Sequence, residues 1–161
     1  MKKSSMIGLV AILTALLLVP QVYGAKKHLP YGPAEKVTGE VKISRPWDGK
    51  YAYAEFNAHE ATEKHPAKGR CHLLIVRKDG TIYREMDVKV ENVIVEGKWA
   101  RFDGVCTYDS WGTRVGKRLY VRAQDKCIDG INRDLIWWSW ESPNPYRQIV
   151  VGGDLVVHSW E

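Results

Sequence analysis

The sequence lacks the local signatures by which most enzymes are recognised. It contains no G-x-S-x-G, no H-E-x-x-H, no G-x-G-x-x-G and no phosphate-binding P-loop. These absences exclude the common serine hydrolases, zinc proteases and nucleotide-binding enzymes. Carboxylates spread over strands leave no such signature, so acid–base catalysis by a small β-barrel enzyme stays open as an alternative. We expect a non-catalytic domain.

Long apolar runs are also missing, apart from one at the N-terminus. Lys2 and Lys3 precede an apolar run over residues 7–19, which ends in small residues at Gly24. This pattern predicts a signal peptide over residues 1–24 and a secreted, periplasmic or other cell-envelope protein. Because about 20 residues are needed to cross a bilayer, we expect no stable membrane span after signal cleavage. Residues 25–36 read as a flexible lead-in to one domain, residues 37–161.

The charge pattern gives no sign of a nucleic-acid partner. The formal net charge is only +5, and beyond the signal segment the basic residues alternate with acidic ones. We therefore expect no nucleic acid among the partners.

No segment after residue 25 has apolar residues at helical spacing. Apolar and polar residues instead alternate with a period of two, as in β-strands. Between the turns Asp79-Gly80 and Glu96-Gly97, even positions such as Met86 and Val88 are apolar and odd positions are mostly polar. One face of this strand is therefore predicted to be buried and the other to be exposed to solvent. The same pattern predicts eight strands, at residues 37–44, 51–59, 70–77, 81–90, 99–108, 118–124, 135–140 and 149–158.

Short antiparallel strands at this spacing predict an all-β fold. We favour a single antiparallel meander of about eight strands closed as a β-barrel, with a β-sandwich as the alternative, since either arrangement removes exposed edges. A barrel of this size is filled by its own side chains or holds one small ligand.

Only three cysteines are present, so an exported chain has at least one left over after pairing. In a meander Cys71 lies near Val88, which lies near Val105, so one strand separates Cys71 from Cys106. The resulting separation of roughly 9–10 Å exceeds disulfide reach. Cys127, expected in register near Gly97, lies roughly 30 Å from Cys106. We predict three free thiols and no disulfide.

Four stretches carry a resemblance to a known family: residues 49–60 (GKYAYAEFNAHE), 68–74 (KGRCHLL), 121–134 (VRAQDKCIDGINRD) and 150–158 (VVGGDLVVH). Their order and spacing resemble "post-COAP"-type modules of exported prokaryotic proteins. The resemblance implies an exported β-domain of uncharacterised activity, and no catalytic residues carry over. This chain departs from the pattern at Cys127, at Asp154 and in the aromatic strand 135–140.

The turn before that strand is rich in oxygen-bearing side chains. Such side chains are the ligands that calcium prefers, but their spacing is not that of a calcium loop. The alternative is that they hydrogen-bond backbone groups to hold a tight connection. We expect no cofactor, with calcium as the alternative, bound by Asp125, Asp129, Asn132 and Asp134.

The seven tryptophans are many for a domain of this size. Alternation places Trp138 and Trp140 inside, as core or as the lining of a small apolar pocket. Trp137 falls on the outer face opposite Arg122, where a guanidinium covers an indole ring well. The predicted outer patch consists of Tyr120, Arg122, Leu135 and Trp137.

Three functions follow from these placements. The first is an exported binding or interaction module that contacts an unknown protein partner through the outer patch. The second is a carrier of a small apolar ligand inside the barrel, and the third is a small β-barrel enzyme with a polar pocket.

Overall fold

A computed structural model describes residues 35–45, 48–128 and 131–159 of the chain. The predicted signal peptide and residues 25–34 of the predicted lead-in lie outside these residues. Every regular element of the described chain is a β-strand. No helix in this part of the chain is long and apolar enough to cross a membrane.

The wall of the fold consists of eight strands: β1 (Lys36–Arg45), β2 (Lys50–His59), β3 (Lys68–Val76), β4 (Ile82–Glu96), β5 (Trp99–Asp109), β6 (Arg118–Gln124), β9 (Leu135–Trp140) and β10 (Tyr146–His158). They are antiparallel and close into a barrel in the order β1-β10-β9-β6-β5-β4-β3-β2, which confirms the predicted meander and barrel. A short hairpin of β7 (Cys127–Ile128) and β8 (Ile131–Asn132), not predicted, interrupts the β6–β9 connection.

The alternating apolar residues of all eight wall strands point inward and form one buried cluster. Phe56 and Phe102 meet near its centre, with ring centroids 5.3 Å apart. Each fully buried Val, Leu or Ile side chain contributes about 1.5–3 kcal/mol relative to exposure, so this cluster is the main source of stability. Strand alternation therefore specifies most of the residues that face the interior, whereas in β4 the bulge changes the buried positions from even residues up to Val90 to odd residues from Val93.

Close strand approach explains one glycine of the wall. A Cβ at Gly104 would lie 2.2 Å from the carbonyl oxygen of Lys89 on β4. This contact lies beside a bulge, where the β4–β5 register shifts between Val90 and Asn92. Only glycine fits between two backbones at this separation.

Cys71 and Cys106 flank Val88 on β4, and both are buried and carry free thiols. Val88 lies opposite Cys106 rather than Val105, one residue from the expected register, because the turn pairs Glu96 with Trp99 and the bulge then shifts the register by one residue. Burial raises the pKa of the Cys71 thiol to about 12. The expected pairing of Cys127 near Gly97 is wrong. The last backbone hydrogen bond beyond the β5–β6 ladder runs from the Asp125 N–H to the Lys98 carbonyl, and Cys127 pairs with Asn132 in the β7–β8 hairpin. The Cys127 side chain lies outside the described residues.

The β1–β2, β3–β4, β5–β6 and β9–β10 connections all lie at one end of the barrel, here called the loop end. A buried ion pair fixes the β5–β6 connection there. The Asp109 carboxylate accepts hydrogen bonds from Arg84 Nε at 2.8 Å and Nη2 at 2.6 Å, and from the backbone N–H groups of Trp111 and Arg114. The hydrogen bond from Arg84 holds the pKa of Asp109 well below its ordinary value.

Candidate functional site

A single row of outward-facing residues crosses five neighbouring strands. Successive register partners along this row, from β4 to β10, are Ile94, Arg101, Arg122, Trp137 and Arg147. Four strand spacings of about 4.8 Å give the row a length of roughly 19 Å. The predicted pairing of Arg122 with Trp137 is present in this register.

Two tryptophans stack on the outer face beside this row. The rings of Trp99 and Trp137 lie 5.5 Å apart with 27° between their planes. The Arg122 guanidinium lies 4.5 Å from the centroid of the Trp99 ring, where the ring face attracts a cation. Sequence reasoning identified Arg122 and Trp137 but missed Trp99. Trp99 lies two residues before Arg101 in β5, so strand alternation places both side chains on the outer face; this was the signal that could have identified it.

The arginines of the row are poorly neutralised. Among the described residues, neither Arg122 nor Arg147 has a carboxylate within ion-pair distance. The nearest carboxylate of Arg101 is that of Glu96 at 3.4 Å, and both side chains are more than half exposed. A surface pair of this kind contributes little and is easily exchanged for another anion. The row therefore presents three guanidinium groups to an incoming acidic ligand.

Four residues of the row, Ile94, Arg101, Arg122 and Trp137, line a groove of about 460 Å³, here called the wall groove. Arg147 continues the row beside it as the register partner of Trp137. One side is the arginine and tryptophan row, and the other is a polar row that contains Asp103 and Tyr120. The Pro143–Pro145 segment of the β9–β10 connection borders it. Of the predicted outer patch, Tyr120, Arg122 and Trp137 line this groove, whereas Leu135 is half-buried beside it, opposite Gln124.

The polar side of the groove is held by a network of its own. Asp103 accepts hydrogen bonds from the Asn92 amide at 2.9 Å and from Arg118. Arg118 also pairs with Glu91 at 2.7 Å, and these carboxylates raise its pKa. This network holds one arginine and two carboxylates and so has a formal charge of −1; the excess positive charge of the groove lies on the opposite row.

The predicted pocket-lining residues, Trp138 and Trp140, lie on the inner face of β9. Both are half-buried and pack against the core cluster, close to the fully buried Ile136. In this position their rings contribute to the packed interior of the barrel.

The predicted calcium turn supplies hydrogen-bond acceptors to a neighbouring strand. β9 and β10 share only three residue pairs, from Trp138 to Ile136. Beyond them, Asp134 accepts the buried backbone N–H of Leu155 at 2.8 Å and Asp125 accepts that of Val157 at 3.4 Å. The turn therefore uses its carboxylates in place of strand pairing. Asp129 and the Asn132 side chain lie outside the described residues.

A second polar cluster lies on the outer face of β3 and β4. His72 Nδ1 is 2.9 Å from Asp87 Oδ1, which also accepts a hydrogen bond from Arg70. Burial acts to raise the pKa of Asp87, but the hydrogen bonds from His72 and Arg70 outweigh it and the pKa is lowered. In the described part of the chain, no three His, Cys, Asp or Glu side chains are grouped so as to hold a metal ion.

No protein-family model matches this chain, and no curated protein or solved structure is detectably similar to it.

Proposed function

We propose that this protein is an exported, non-catalytic binding module that captures an acidic segment of a partner protein in the wall groove. The observation that carries the proposal is the row of Arg101, Arg122 and Arg147, interrupted by Trp137 and flanked by its stacking partner Trp99. Tryptophan, tyrosine and arginine are the residues that most often dominate the energy of protein interfaces.

The shape of the groove supports an extended ligand. A row of roughly 19 Å matches about six residues of a strand-like peptide. Carboxylates of such a peptide would pair with the guanidinium groups, and an apolar or aromatic side chain would pack on Trp137. The rigid strands hold these groups in place, so little conformational entropy is lost on binding.

The two alternative functions find less support in the placement of their residues. A carrier requires Trp138 and Trp140 to line an open interior, but both pack against the core cluster. An enzyme requires a polar pocket with a poised acid or base. The lowered pKa values of Asp87 and Asp109 belong to carboxylates that are already paired with arginine, which suits ion pairing rather than proton transfer.

The proposal is tested by titrating the protein with a random copolymer of glutamate and tyrosine while tryptophan fluorescence is recorded. We expect saturable binding that weakens as salt is added, since the arginines are solvent-exposed. Trp137→Ala removes the central ring and should weaken binding about 30-fold, as expected for a hot spot worth about 2 kcal/mol. A copolymer of lysine and tyrosine should not bind.

A matched pair of arginine variants serves as the control. Arg122→Gln in the groove should weaken binding about tenfold, whereas Arg70→Gln on the opposite part of the wall should leave it unchanged. Circular dichroism and urea unfolding verify that each variant is folded. Equal binding by all variants, or equal binding of the acidic and basic copolymers, would contradict the proposal.

A further inference from the structure

Exposed apolar side chains are concentrated at the loop end of the barrel. Ile82, Trp111, Val115 and Tyr146 are 59%, 48%, 53% and 73% exposed, although each is a large hydrophobic residue. They come from three separate connections, β3–β4, β5–β6 and β9–β10, so folding gathers residues that are distant in sequence. Single exposed apolar residues are ordinary, but a set on one end of a domain marks a contact surface.

Ring and cation contacts join these connections. Tyr83 and Trp111 pack edge to face, with ring centroids 4.6 Å apart. Lys50 Nζ lies 4.3 Å and Arg77 Cζ 4.9 Å from the Tyr83 ring centroid, and Arg84 Cζ lies 4.9 Å from that of Trp111. The loop end is thus a connected aromatic surface interleaved with basic side chains.

The two ends of the barrel differ in charge. At the loop end, residues 45–50, 77–82, 110–117 and 141–147 hold seven Lys or Arg and three Asp or Glu, a formal charge of +4. At the opposite end, the described residues 59–68, 96–99, 124–128 and 131–135 hold five Lys or Arg and five Asp or Glu, a formal charge of zero. Only the loop end therefore combines exposed apolar residues with excess positive charge.

We propose that the loop end docks the barrel onto the surface of an anionic lipid bilayer. Tryptophan and tyrosine favour the boundary between headgroups and acyl chains, and lysine and arginine beside them attract anionic headgroups. The exposed aliphatic side chains of Ile82 and Val115 favour lipid over the phosphate backbone of a nucleic acid, because acyl chains solvate them and phosphates do not. The exposed side chains reach only into the interfacial layer, so binding is peripheral and reversible. This surface adjoins the wall groove at the β9–β10 connection, but its exposed apolar residues Ile82, Trp111, Val115 and Tyr146 do not line the groove, and the proposal does not depend on the function of the groove.

Co-sedimentation of the full chain with vesicles tests the proposal. Vesicles of phosphatidylglycerol and phosphatidylcholine in equal parts should bind the protein, and vesicles of phosphatidylcholine alone should bind it much more weakly. Val115→Asp removes an apolar tip and should weaken binding about tenfold. Lys78→Glu reverses an exposed charge in the β3–β4 turn and should weaken it at least about fivefold.

Two variants of matched chemistry control for nonspecific effects. Val151→Asp alters a residue that is 51% exposed on the barrel wall, and Lys98→Glu reverses an exposed lysine at the opposite end. Both should bind vesicles as the unaltered protein does, and circular dichroism verifies the fold of all four variants. The proposal is overturned if the unaltered protein does not bind anionic vesicles, or if the control variants weaken binding as much as the loop-end variants. Equally tight binding to duplex DNA would overturn it as well, because charge alone would then suffice.

Discussion

Asp109→Asn should destabilise the protein by about 3 kcal/mol, because each carboxylate oxygen accepts hydrogen bonds from a side chain and from a backbone N–H group. Oδ1 accepts from Arg84 Nε and the Trp111 backbone, and Oδ2 accepts from Arg84 Nη2 and the Arg114 backbone. In either orientation, the asparagine amide group directs N–H donors at a backbone N–H. One partly buried backbone N–H then loses its acceptor, which costs about 1–3 kcal/mol when burial is complete, and Arg84 loses its counter-charge. Breaking a buried pair typically costs about 3–5 kcal/mol.

Urea unfolding across pH measures this effect and its origin. The pKa of Asp109 is lowered on folding, so its contribution is complete above the unfolded value near 3.8 and is lost as the pH falls through the folded value. The difference between the unaltered protein and Asp109→Asn should be constant from neutral pH to about pH 5 and shrink below about pH 4. Asp79→Asn, an exposed carboxylate in the β3–β4 turn, is the control and should cost less than about 1 kcal/mol. A loss below about 1 kcal/mol for Asp109→Asn at pH 7, or a difference that grows in acid, would refute this reasoning.

Three further predictions concern the wall of the barrel. Asp134→Ala should cost about 2 kcal/mol in urea unfolding because a buried backbone N–H of β10 loses its acceptor, and Asp125→Ala, with its longer contact, should cost less. Gly104→Ala should destabilise by at least about 2 kcal/mol through its clash with β4, whereas Gly152→Ala, with its nearest neighbour at 4.0 Å, should be nearly neutral. The Cys71 thiol should resist a thiol reagent at pH 8 in the native protein and react after denaturation, since its pKa is raised to about 12.

The fold could be predicted because its signals are local. Period-two alternation and glycine-containing turns such as Asp79-Gly80 predict the strands, their antiparallel order and, outside the bulge in β4, their inner faces. The predicted bounds of β6 and β9 agree with the structure, and β4 differs mainly in continuing to Glu96. The pairing of Arg122 with Trp137 followed from the same register arithmetic.

The parts that could not be predicted depend on contacts between distant residues. Trp99 stacks on Trp137 across an intervening strand, and strand alternation gives no rule for which exposed rings meet. The Arg84–Asp109 pair joins the start of β4 to the end of β5 at the loop end. The role of Asp134 depends on the early separation of β9 from β10, which alternation does not encode.

The most direct test of the wall groove is an NMR titration of ¹⁵N-labelled protein with the copolymer of glutamate and tyrosine. The indole N–H signals report separately on the two faces of the barrel wall. Binding in the groove predicts that the signals of Trp99 and Trp137 shift with a common affinity, while those of Trp138 and Trp140 stay in place. Shifts confined to Trp138 and Trp140, or no shift at any of the four indoles, would contradict the proposed function.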